Sequence, residues 1–178
     1  MALKLMSENG VHAMSMRRLA DACGLNVATI YHYFPSKADL LTEVIAQRSY
    51  DQLLEQPPPV DRSLAPRARM EQMLSWIWTE MAGQDDMWRL LLGESLRGEP
   101  EALTSAAELS ATFERALKRW ISEWFDDVID EPAVMARVLR GVIYGFFVEH
   151  LPLRNEDRSK FLRQRAREVA AVLVRDSA

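Results

Sequence analysis

The stretch Ser15–Lys37, S-M-R-R-L-A-D-A-C-G-L-N-V-A-T-I-Y-H-Y-F-P-S-K, constrains this chain more than any other. Its pattern predicts two short helices joined by a tight turn, with a third helix following. Ser15 is placed as the N-cap of the first, Met16 to Cys23. Gly24 follows, where a left-handed turn is cheapest for a residue without a Cβ. Val27 to Tyr33 makes the second helix, which Phe34-Pro35-Ser36 stops. Leu19, Ala20, Cys23, Leu25, Ile30 and Tyr33 fall at the inward positions of a helix-turn-helix. Cys23 reads as a plain core residue.

The remainder reads as helix throughout. Ala2 to Glu8 is a helix that Gly10 ends. Ser36-Lys37-Ala38-Asp39 resembles a capping box, opening a helix expected to run to about Leu54. Gln56-Pro57-Pro58-Pro59 cannot continue it, since proline lacks the N–H and clashes with the preceding turn. Later helices are expected over Arg67 to Ala82, Met87 to Leu96 (capped by Asp85 or Asp86), Glu101 to Phe125, Pro132 to His150 and Asp157 to Arg175. No segment alternates with period two. The expected fold is all-α with about nine helices. Its N-terminal helix-turn-helix bundle spans residues 1–46, and residues 47–178 form a larger helical domain.

Composition narrows the function. Formal net charge is −4, and residues 1–56 carry five cations against six anions. Any DNA affinity must come from the placement of a few cations and from pairing two modules. One cysteine excludes an intrachain disulfide and a cysteine-based zinc cluster. His12, His32 and His150 are too scattered for a local metal motif, and no glycine-rich phosphate loop appears. Asp85-Asp86 and Asp126-Asp127 sit at expected helix boundaries, where capping explains them better than catalysis. No enzyme, metal site or cofactor is expected. Lys4, Ser7, Glu8 and Asn9 interrupt any apolar run at the start, and Val142 to Val148 is too short to span a bilayer. A reduced, cytoplasmic setting is expected, without a membrane partner.

A helical wheel centred on Ile30 turns Ala28 and His32 outward, flanked by Thr29 and Tyr31. Ala28 suits a thymine methyl, His32 a base edge or phosphate, and the Thr29 and Tyr31 hydroxyls phosphate oxygens. Arg17 suits a guanine or the backbone, while Arg18 and Lys37 suit phosphates. The backbone N–H groups following Ser15 and Ser36 offer anion sites.

The run from Ser15 through Leu41 resembles the DNA-binding signature of the TetR family of transcriptional regulators. Tyr31 and Phe34 followed by Ser36-Lys37 and Leu40-Leu41 are its diagnostic part. Residues L-K-L-M-S-E-N-G before it resemble the end of that family's helix one. The later helices resemble the family in layout only. Here Met1 falls inside a helix that the family usually makes fuller and precedes with a short basic arm. The resemblance implies a homodimer that represses transcription from a palindromic operator and releases it on binding a small ligand. Base or backbone contacts carry over to Arg17, Val27, Ala28, Thr29, Tyr31, His32 and Lys37, beside the Ser15 cap and Arg18.

Gly141 and Gly145 lie four apart, which allows close approach between helices. With Val138, Val142 and Phe146, and with Phe161, Leu162, Val169 and Leu173 of the last helix, they are the expected dimer surface. Met70, Met73, Trp76, Trp78, Met81, Trp88, Phe113, Trp120, Tyr144 and Phe147 suit an adaptable pocket for an apolar or aromatic effector. Ordinary core packing is the competing reading for each of them. Two further readings stay open: a DNA-binding dimer without an effector, and a degenerate member with weakened DNA binding.

Overall fold

The computed structural model describes residues 1–46, 54–153 and 155–175, without the side chains of 155 and 156. Among them are nine helices and no strand. In chain order they are α1 (Ala2–Asn9), α2 (Met16–Cys23), α3 (Val27–Tyr33), α4 (Lys37–Ala46), α5 (Pro66–Ala82), α6 (Asp85–Arg97), α7 (Pro100–Trp124), α8 (Pro132–His150) and α9 (Asn155–Leu173). The expected continuation of α4 to Leu54 falls largely outside the described residues. Pro66 and Pro132 open α5 and α8 at positions where a missing N–H is harmless.

Two compact units emerge. One combines Met1–Tyr50 with Gln84–Leu109, the other Asp51–Gly83 with Ser110–Ala178. Compactness thus divides the chain differently from composition, because 84–109 packs with the N-terminal helices. In the first unit α1 packs on α6. Leu5, Met6, Met14, Met16, Leu19, Ala20, Ile30, Leu40 and Leu41 share one core with Leu90, Leu91 and Ala102. In the second unit α5 packs on α9 and α8, and α8 on α9. Met70, Met73, Trp78, Leu117, Trp120, Leu139, Ile143 and Phe147 are buried there.

Three inward assignments are corrected. Cys23 is exposed, Leu25 is 48% exposed and Tyr33 is 70% exposed. A wheel assumes that the helix continues, and these residues lie where it stops. At the end of α2, Gly24 is left-handed at φ 66, and the Leu25 N–H bonds to the Ala20 carbonyl at 2.9 Å. Backbone rather than the Leu25 side chain closes that turn. Phe34 leaves α3 extended and packs partly on the core in the place expected for Tyr33. A fourth correction concerns α6. Gln84 is its N-cap, and Asp85 and Asp86 lie in the first turn, complementing the helix dipole instead of capping it.

Candidate nucleic-acid interface

Each helix of the N-terminal motif is started by a side chain. Ser15 Oγ accepts the Arg18 N–H at 3.0 Å. Asn26 Oδ1 accepts the Ala28 N–H at 2.9 Å and starts α3. The sequence reading missed Asn26, although asparagine before an apolar helix is a favoured cap. At α4 the capping box is reciprocal: Ser36 Oγ accepts the Asp39 N–H at 3.1 Å, and Asp39 Oδ2 accepts the Ser36 N–H at 3.0 Å. A carboxylate therefore already occupies this helix end, which weakens the anion site expected after Ser36.

On the outer side of α3, Ala28 and His32 are exposed, Tyr31 is 51% exposed, and Thr29 is half-buried. Tyr33 joins this surface, with its ring edge-on to His32 at 5.2 Å. Val27 is half-buried against the core. The three cations differ. Arg17 is exposed, whereas Arg18 Nη1 donates to Asn9 Oδ1 at 3.2 Å. Lys37 Nζ donates to the His12 carbonyl at 2.7 Å, which fixes its head beside α4.

The expected effector residues are mostly buried but lie in two units. Trp78 packs edge-on against Phe146 at 5.3 Å and His150 at 5.1 Å, with Phe161 at 6.5 Å. Trp76 meets Trp120 at 5.7 Å, and Phe113 meets Tyr144 at 6.2 Å. Burial pushes the Tyr144 phenol above 10.0, against the lowering effect of a hydrogen bond with Ser110. Met70, Met73, Met81 and Phe147 complete the buried set of the second unit, while Trp88 belongs to the first. The indole N–H groups of Trp78 and Trp120 are buried without a hydrogen-bond partner among the described residues. A separate groove of about 410 Å³ is lined by Leu54, Glu55, Thr112, Arg115, Ala116 and Arg119, none of them in the expected effector set.

The expected dimer residues also divide. Val138 is 45% exposed, and a Cβ built on Gly141 or Gly145 would meet nothing within 4 Å. Val142, Phe161, Leu162, Val169 and Leu173 are half-buried. Phe146 does not share that face: it is 7% exposed and turned against Trp78. One residue from Gly145, it lies about 100° around the helix, on the core side.

Among the described residues, no helix is long and apolar enough to cross a membrane, and no cluster of His, Cys, Asp or Glu is suited to a metal. Residues 1–44 match the family model described as bacterial regulatory proteins, tetR family. The chain is similar to the HTH-type transcriptional repressor KstR of Rhodococcus jostii, at 25% identity over 86% of this chain and 70% of the relative. It is similar to the HTH-type transcriptional regulator UidR of Escherichia coli over a shorter stretch, at 39% identity covering 26% of this chain and 24% of the relative. Its fold is similar to that of a putative transcriptional regulator from Saccharomonospora viridis solved in complex with choline. That match has a TM-score of 0.76 at 18% identity and covers 97% of this chain and 93% of the other. The capped helix-turn-helix with outward polar and aromatic side chains and the family match agree: residues 1–44 carry the helix-turn-helix domain of the tetR family of bacterial regulatory proteins, and the chain as a whole shares the all-helical fold of solved transcriptional regulators.

Proposed function

We propose that the protein is a ligand-responsive repressor that binds a palindromic operator as a homodimer in the cytoplasm. One observation carries the reading. Val134, Val138, Gly141, Gly145 and Val148 are exposed along α8 at spacings of four, three, four and three. That period is the seam of two packed helices, and the valines are 41%, 45% and 59% exposed in the single chain. The open side of Gly141 and Gly145 leaves room for a second backbone. Val172 of α9, 82% exposed, adds apolar surface. A two-fold dimer presents two copies of α3, hence an operator with two related half-sites. Pairing also answers the charge problem, because an N-terminal unit without net positive charge binds DNA weakly on its own.

Within each copy, Ala28, Thr29, Tyr31 and His32 face the major groove, with Arg17, Arg18 and Lys37 beside the backbone. The aromatic cluster around Trp78 and Trp120 suits an apolar or aromatic effector, with the two unpaired indole N–H groups as donors to it. The regulator of similar fold in complex with choline supports the capacity of such a fold for a small molecule. A DNA-binding dimer without an effector is the second reading, favoured by the near-zero exposure of Met70, Met73, Trp120 and Phe147.

Sedimentation should give a mass near twice the 20.4 kDa of one chain, and an apolar compound should release bound DNA. A monomer at micromolar concentration removes the dimer. A broad apolar panel that changes neither melting temperature nor DNA affinity removes the effector.

A further inference from the structure

We propose that Glu94 is a positioning residue that aims the DNA-reading helices, acting through the corner between α1 and α2. The proposal rests on the DNA-binding reading of α2 and α3. Glu94 lies near the end of α6 and is 1% exposed, a rare place for a carboxylate. Its Oε1 accepts the Val11 backbone N–H at 3.2 Å and the Arg97 Nη1 at 2.6 Å. Its Oε2 is buried with no hydrogen-bond partner among the described residues. A carboxylate serving only its own helix would pair with Arg97 in solvent. This one is buried against a backbone N–H 83 residues away in sequence.

The corner is shaped to receive it. Gly10 has φ +78, and a Cβ there would stand 3.3 Å from Glu94 Oε1 and 3.6 Å from Arg97 Cζ. Glycine meets both the left-handed backbone and the close approach. One residue after Val11, the His12 ring bonds Glu99 Oε1, and the His12 carbonyl accepts from Lys37 Nζ at 2.7 Å. Val11 and His12 thus join the end of α6, the α6–α7 turn and the start of α4. The His12 side chain is 76% exposed, and exposed ion pairs contribute little. The Glu94 contact is the buried tie. Ser15 caps α2 three residues beyond His12, and the Gly24 turn couples α2 to α3. A displaced corner therefore carries the reading helix with it.

Charge and position predict opposite results. Removing a carboxylate from this unit should raise general attraction to DNA. Losing the tie should weaken only the match between α3 and its chosen sequence.

The test uses full-length Glu94→Ala and Glu94→Gln with two readouts, well below each variant's melting temperature. In hydrogen exchange, the alanine variant should exchange roughly tenfold faster over residues 10–15 and through α2–α3. Glu94→Gln keeps an oxygen for the Val11 N–H and should stay near wild type. For DNA, duplexes enriched by the wild type from a random pool should bind Glu94→Ala roughly tenfold more weakly, with scrambled duplexes unchanged or tighter. Glu94→Gln should recover most of the loss. Should Glu94→Ala not fold, Gly10→Ala disturbs the same contact from the other side and should give the same pattern. Unchanged exchange through α2–α3 overturns the proposal, as does an equal loss on both kinds of duplex. If the wild type enriches no duplex, the DNA-binding reading fails, and exchange still decides whether Glu94 holds α2–α3.

Discussion

Phe146 stands edge-on to Trp78, with ring centroids 5.3 Å apart and planes at 76°, so the aromatic side of α8 faces its own subunit. The valine-glycine side is left outward. Glycine in a helix interior costs about 1 kcal/mol relative to alanine, and two on one exposed stripe need a reason outside the single chain.

Gly145→Leu should therefore separate fold from assembly. Nothing lies within 4 Å of the added Cβ, so helix content and the monomer core should survive. The side chain should block close approach of the partner and bring the sedimentation mass toward 20.4 kDa. An intact dimer would move the interface elsewhere.

Tyr31 and His32 should separate affinity from specificity. Tyr31→Phe removes a hydroxyl assigned to phosphate and should weaken all sequences alike, by about 1 kcal/mol. His32→Ala should change which bases are preferred. Competition binding on single-base variants of a selected duplex measures both. An unchanged preference removes His32 from the base-reading set.

Arg69 and Asp127 supply a pH signature. Arg69 is 6% exposed, and its guanidinium donates to the Trp124 carbonyl at 2.6 Å and to Asp127 Oδ2 at 2.5 Å. The hydrogen bond from Arg69 holds the Asp127 carboxyl below 3.8. A carboxyl lowered on folding stabilises above its unfolded pKa and loses that contribution as pH falls through the folded one. Melting temperature should thus fall as pH drops below about 5. Asp127→Asn should lower the plateau near neutral pH and flatten that limb. An identical acid limb in the variant assigns it to other carboxyls, Asp61 first, which Ser63 also holds low.

Local signals were legible in the sequence. Ser15, the Ser36–Asp39 box and Pro132 mark helix starts through chemistry confined to a few residues, and α5 shows its apolar stripe directly. The reading faltered where a side chain's direction depends on where a helix ends, as at Cys23, Leu25 and Tyr33. It also placed Phe146 with its neighbour Gly145, although adjacent helical residues do not share a face. Glu94 was missed altogether. Its signal was present: Met87, Leu90, Leu91 and Glu94 follow the spacing of one buried stripe. What no periodicity reveals is the partner across that stripe, a backbone N–H at the other end of the N-terminal unit.

The measurement closest to the central claim is selection of bound duplexes from a random pool at low salt, with the protein at known concentration. Enrichment of a palindrome with half-sites about one helical turn apart, or a multiple of it, is the expected result. Gly145→Leu should lose it and His32→Ala should alter it. A pool that stays random at low salt would contradict sequence-specific DNA recognition by this chain.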